Sequence, residues 1–331
     1  MLYGRSATLG LTFMLLAGCD FACSATEHEV ASSGAPKATA PPAVSAARSE
    51  AGSEDERSTG RLRELRFSYA TTPAGPMDVV IAVPVAAPER RFPVLVALHG
   101  RGEAFKGPER GARGWIDDYG LSRAVARLSA PPLSAQDLLG FVDTPRLTSL
   151  NRALEREPYR GLIVVCPYTP DLLAGERRLD AAEHFATFVV DELLPRVYRE
   201  TPALGSPANT GIDGVSLGGR AALLVAFSRP SAFGVVGAVQ AAFDGREIAA
   251  VAERGRRALD QNPKLVVRLL TSHDDYFLAE NHMLSRALSK LAIRHRFDNV
   301  VGPHTYEFNR GPGVYEMLTY HDRALRGRPA P

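Results

Sequence analysis

The chain is 331 residues long, with 39 lysines and arginines against 37 aspartates and glutamates, a net charge of +2 and 45% apolar side chains. That length and apolar content allow a substantial core. Nearly balanced charge, with arginines spread along the chain, excludes a basic nucleic-acid-binding surface, and no internal repeat is present.

The first segments lie outside any fold. Arg5 gives a short positive region, and the apolar run at residues 11–17 is too short to cross a bilayer. It ends in Leu16-Ala17-Gly18-Cys19, which resembles a bacterial lipobox. Small residues fit the signal peptidase cleft, and the cysteine thiol is the attachment point for acyl chains. The pattern predicts a lipoprotein signal peptide over residues 1–18 and lipidation of Cys19. The protein is then exported and anchored to a bacterial cell membrane, facing the periplasm or the surface. Residues 19–60 are dominated by Ala, Ser, Pro, Glu and Thr. Such a composition buries too little apolar surface to fold, so a disordered tether is expected there. Residues 61–327 then make one domain.

Within it, residues 62–69 and 77–83 read as antiparallel opening strands. Residues 92–98 are continuously apolar, as a strand inside a parallel sheet must be, and run into His99-Gly100-Arg101-Gly102-Glu103. Those glycines could open a dinucleotide fingerprint, but Phe105 stands where the third glycine belongs, which argues against that reading. Residues 111–158, irregular in the middle, predict an insertion or cap near the ligand-binding edge. Its Trp115, Tyr119, Leu138, Leu139 and Phe141 suit either an acyl or aromatic pocket or a small core of the insertion itself. Residues 162–166 are a further strand, and 180–199 show the apolar spacing of a core-facing helix. Strands at 209–213, 235–239, 264–270 and 295–301 follow, with helices between them, and a helix at 314–325 closes the chain. Alternating strands and helices give a mostly parallel sheet covered on both faces.

Chemistry concentrates at the ends of these strands. Gly214-Val215-Ser216-Leu217-Gly218 lies between a strand and an apolar helix-forming run, the context of a nucleophile elbow. A strand that reverses into a helix strains the serine backbone, and only glycine neighbours leave room. The hydroxyl then sits beside the first N–H groups of a helix, where negative charge is favoured. Serine needs a base to act as a nucleophile near neutral pH. His304, in the turn Gly302-Pro303-His304, can take that proton and return it to a leaving group. A carboxylate past a strand end can fix the imidazole tautomer; Asp274 and Asp275 both stand there, and spacing does not separate them. The oxyanion donors expected are the N–H of Leu217 with that of Gly100 or Arg101. His99 is expected to brace the loop. Cys166 reads as a small buried hydrophobe, and no histidine spacing suits a metal.

Leu98-His99-Gly100, residues 188–198, Asp213-Gly214-Val215-Ser216-Leu217-Gly218-Gly219, Pro230-Ser231-Ala232-Phe233 and Asp275-Tyr276-Phe277-Leu278 together resemble the esterase D and enterochelin esterase branch of the α/β-hydrolases. That branch includes feruloyl and acetylxylan-type esterases, S-formylglutathione hydrolase and mycolyltransferases. The resemblance spans residues 61–325. It implies the α/β-hydrolase fold, with helices on both faces of the sheet and a helical insertion near the active-site edge. It also implies Ser216 as nucleophile and His304 as base. The branch follows its acid by any residue and then Phe or Leu, which implies Asp275 rather than Asp274.

The expectation is a serine hydrolase that cleaves a small-molecule or glycan-linked ester through an acyl-enzyme, without cofactor or metal. Acyl transfer to a sugar or lipid alcohol on the same fold is the second expectation. A lipoprotein that only binds a glycan or a protein is the third.

Overall fold

The computed structural model describes residues 60–174 and 178–328. The signal, Cys19 and nearly all of the tether fall outside the described residues. The run Val94–Leu98 has no polar side chain, so it can only lie between two apolar layers, and it forms β3 inside an eight-stranded sheet. The other strands are β1 (Leu62–Tyr69), β2 (Met77–Pro84), β4 (Ile163–Pro167), β5 (Thr210–Gly214), β6 (Val235–Val239), β7 (Val266–Asp274) and β8 (His295–Pro303). Their order across the sheet is β1-β2-β4-β3-β5-β6-β7-β8. The ladders β1/β2 and β2/β4 are antiparallel, and from β4 to β8 all neighbours are parallel.

Alternate residues of each central strand face opposite layers, as the pleat requires. Val94, Val96 and Leu98 join one buried cluster, and Leu95 and Ala97 join the other. The first cluster is closed by the helical rod 182–200 and by helices Leu217–Ser228, Ile248–Gln261 and Leu278–Lys290. The second is closed by helices Leu121–Leu128, Thr144–Arg156 and Val314–Ala324. We number these α1 (Leu121–Leu128), α2 (Thr144–Arg156), α3 (182–200), α4 (Leu217–Ser228), α5 (Ile248–Gln261), α6 (Leu278–Lys290) and α7 (Val314–Ala324).

Two departures from the sequence reading have physical causes. The run from Phe92 makes only an isolated bridge, Phe92 to Ala203, before β3 begins at Val94; Pro93 has no N–H to give a ladder. The rod α3 contains a π-helical stretch, Phe188–Leu193, directly before Pro195; a proline inside a helix removes one bond and crowds the carbonyl four residues back. Segment 111–158 is the helical cover of the second sheet face. Leu121, Val125, Leu150, Leu154, Trp115, Tyr119 and Leu138 share one buried cluster with Leu95 and Ala97, while Leu139 is exposed.

Candidate active site

β5 delivers the chain to Ser216 with φ 58° and ψ −116°, a conformation that costs on the order of 1–3 kcal/mol for a residue with a side chain. The neighbours make it feasible. A Cβ on Gly214 would lie 2.5 Å from the carbonyl carbon of Gly218, and one on Gly218 would lie 2.2 Å from the Leu98 oxygen. Hydrogen bonds hold the strained residue in place: Ser216 N–H donates to Val239 O at 2.8 Å, and Ser216 O accepts from Arg220 N and Ala242 N, both at 3.1 Å. The elbow helix α4 is fixed in turn. Fully buried Arg220 donates to both Glu247 oxygens, at 2.5 and 2.8 Å. Beneath the elbow, Asp213 accepts from Gly214 N at 2.7 Å and from His321 Nε2 of α7 at 2.9 Å, both side chains fully buried.

Ser216 is half-buried, and its hydroxyl makes no hydrogen bond with the described residues. The loop after β3 passes beside it: a Cβ on Gly100 would lie 3.8 Å from Ser216 Cβ. Gly100 and Arg101, the two alternatives for an oxyanion donor, differ in their contacts. Gly100 N–H donates to the Tyr119 hydroxyl at 3.1 Å, so it is occupied. The N–H groups of Arg101 and Leu217 have no acceptor among the described residues. Burial and the adjacent Glu103 carboxylate raise the Tyr119 phenol well above its usual range, which keeps it a neutral hydroxyl.

Asp275 and His304 meet. Asp275 is 5% exposed. Its Oδ1 accepts from His304 Nδ1 at 2.8 Å and from Phe277 N at 2.9 Å, and its Oδ2 accepts from Thr271 Oγ1 at 2.7 Å. Asp274 is exposed and stands opposite Pro303 in the β7/β8 ladder. The Asp275 contact protonates His304 at Nδ1 and leaves the lone pair on Nε2. The imidazole lies against Tyr276, with ring centroids 4.1 Å apart, and edge-on to Phe277 at 5.5 Å. Gly302 has φ +136°, and a Cβ there would reach within 2.6 Å of Phe308 Cδ2, so the turn that carries His304 needs glycine.

His99 braces its loop: Nδ1 donates to Gly100 O at 2.9 Å, and Nε2 accepts from Thr169 N at 2.8 Å. Burial lowers its pKa to about 4, so the ring is neutral. Cys166 is buried at the end of β4, and burial pushes its thiol up. Among the described residues no group of three or more His, Cys, Asp or Glu could hold a metal ion.

Two features had escaped sequence reasoning. Gln240, at φ +48° and fully buried, donates through Nε2 to Ser272 Oγ at 2.6 Å and to Pro303 O at 3.1 Å. It ties the strand bearing the acid to the turn bearing the histidine. Buried Glu103 links Tyr119 and Tyr306. A lone Gln after a strand, or a lone Glu in a glycine-rich loop, carries no signal in sequence.

The comparisons agree with this architecture. Residues 173–289 match the family described as "Putative esterase". No curated protein matches the chain in sequence. Among solved structures, a ferulic acid esterase is 15% identical with a TM-score of 0.58, covering 80% of this chain and 99% of its own. The feruloyl esterase module from Clostridium thermocellum is 17% identical with a TM-score of 0.53, covering 78% and 87%. A fluorophosphonate-binding serine hydrolase from Staphylococcus aureus is 14% identical with a TM-score of 0.51, covering 79% and 99%. At these identities the structures speak for the fold, and the segment match speaks for the family. Sheet order, elbow and structural neighbours give the chain the α/β-hydrolase fold, and its residues 173–289 match an esterase family.

Proposed function

We propose that the protein is a serine esterase that works through an acyl-enzyme. His304 Nε2 takes the Ser216 proton as Oγ bonds to the ester carbonyl carbon. The carbonyl oxygen becomes an oxyanion facing the Leu217 and Arg101 N–H groups. His304 then gives the proton to the departing alkoxide, the carbon–oxygen bond breaks, and an acyl-serine remains. Water repeats the cycle, releasing the acid and restoring the serine. Asp275 holds the imidazole tautomer and stabilises the imidazolium. The reaction so written needs no cofactor. The observation that carries this reading is the Asp275–His304 hydrogen bond at 2.8 Å, past the ends of β7 and β8, in the same sheet whose β5 leads into a serine held at φ 58°. We also propose that the enzyme is exported and anchored through lipidated Cys19.

The test is hydrolysis of short p-nitrophenyl esters together with labelling by a fluorophosphonate. Ser216→Ala should abolish labelling and lower kcat by about 10⁴-fold or more, with the circular dichroism spectrum unchanged. Asp275→Asn should lose about 10³- to 10⁴-fold, and Asp274→Asn should stay within about twofold because its side chain faces solvent. A Ser216→Ala protein with undiminished activity would remove the assignment, and equal losses in the two aspartate variants would remove the role of Asp275.

A further inference from the structure

The loop that offers the Arg101 amide and the turn that carries His304 meet at one buried carboxylate. Glu103 is 1% exposed. The Tyr119 hydroxyl donates to its Oε2, and the same oxygen of Tyr119 accepts the Gly100 N–H at 3.1 Å. The Tyr306 hydroxyl donates to Oε1 at 2.6 Å. Lys106 Nζ stands 3.6 Å from Oε1 and pairs with Asp118 at 2.7 Å. Contact between loop and turn is close: a Cβ on Gly102 would lie 2.4 Å from the Tyr306 hydroxyl oxygen. Tyr306 follows His304 by two residues, whereas Glu103 lies 203 residues away in the chain.

The order of contacts matters for the donor. Tyr119 takes the Gly100 amide, and Gly100 has φ −77° and ψ −179°. Tyr119 thus holds the His99–Gly100 peptide, the next plane along has its Gly100 carbonyl held by His99 Nδ1 at 2.9 Å, and the N–H of that plane, that of Arg101, is left without an acceptor among the described residues. We propose that Glu103 is a positioning residue: through Tyr119 it orients the Arg101 amide, and through Tyr306 it fixes the His304 turn against that amide. The proposal rests on the roles of Ser216, His304 and Arg101 given above. A buried carboxylate costs free energy unless its partners satisfy it, and here the satisfying partners are the two hydroxyls that reach the loop and the turn.

Glu103→Gln tests this without changing side-chain size. An amide has one accepting end and one donating end, so it cannot accept from both tyrosine hydroxyls. The measurements are kcat and KM for p-nitrophenyl acetate, the rate of fluorophosphonate labelling, and the melting temperature. In Glu103→Gln, Tyr306→Phe and Tyr119→Phe, kcat should fall about 10- to 100-fold, as misplacement by a fraction of an ångström to 1 Å does. KM should stay within about twofold, and labelling should slow in parallel with kcat. Tyr306→Phe should add little to Glu103→Gln, because both act through one carboxylate. Where Glu103→Gln does not fold, Tyr306→Phe decides, since that ring is 39% exposed and loses only its hydroxyl. Parental kcat and labelling in folded Glu103→Gln and Tyr306→Phe would overturn the proposal while leaving the esterase intact, as would full additivity of the two changes. A parent protein that the fluorophosphonate does not label would overturn the underlying reading and this proposal together.

Discussion

His99 occupies a site where a charged imidazole would have no water, and both of its nitrogens are already committed, one as donor and one as acceptor. Burial lowers its pKa from 6.5 to about 4. An unfolded chain takes up this proton at higher pH than the folded one. Between those two values the unfolded state binds more protons, so stability falls as the solution is acidified. The effect is about 3 kcal/mol, fully present above the unfolded pKa and lost by about pH 4. His99→Gln should therefore show a shallower fall in Tm between pH 7 and about pH 4.5 than the parent, and parallel slopes in a pH series of thermal melts would show that His99 contributes nothing to acid sensitivity. The candidates for nucleophile and base are readable in the sequence, Ser216 between its glycines and His304 after Gly-Pro, and so is His99 as a brace. Asp274 and Asp275 were not separable by spacing, because which carboxyl turns inward is decided by the bend after β7, where Thr271 Oγ1 and Phe277 N capture Asp275. Gln240 and Glu103 were invisible because their partners are distant in sequence.

At the scale of elements, the turn after β8 shows how backbone conformation controls the site. Gly302 combines φ +136° with a Cβ direction blocked by Phe308, whereas Gly75 has φ +91° and nothing within 4 Å of its Cβ position. Gly302→Ala should shift the His304 turn, lowering kcat/KM about tenfold or more and stability by about 1–3 kcal/mol. Gly75→Ala should cost about 1 kcal/mol in stability and leave kcat/KM unchanged. Denaturant titration with steady-state assays on both variants checks this, and equal activities in the two would show that the turn is not held by its glycine. The central strands β3, β4 and β6 could be read from apolar runs, since continuous Val and Leu segments have few other fates in an alternating chain, whereas β1, β5 and β8 carry mixed sequences and were placed by their position in the alternation. The strand ends could not be read. β7 runs on to Asp274 and β8 to Pro303 because the two strands continue pairing past a register shift between Ser272 and Asp274. The helices of segment 111–158 were obscured by prolines and glycines, and their role as one whole layer over the sheet follows only from tertiary contacts.

For the molecule as a whole, the sequence predicts a catalytic domain on a membrane anchor. Among the described residues no helix is long and apolar enough to cross a membrane; attachment by acyl chains on Cys19 is proposed from the Leu16-Ala17-Gly18-Cys19 pattern alone. Cys19→Ala should shift the protein from the membrane fraction to the soluble fraction, with specific activity on p-nitrophenyl esters unchanged. A protein that still sediments with membranes after this change would refute lipid attachment.

The strand order carries a consequence for how such a protein is made. β3 pairs only with β4 and β5, and neither exists until the growing polypeptide has passed Pro167 and Gly214. A nascent chain has one antiparallel hairpin, β1 with β2, to offer before then, and an isolated hairpin is marginal in water. Long-range parallel pairing is slow to form. The topology thus delays sheet assembly until the polypeptide has passed Pro167, which suits the exported precursor proposed above.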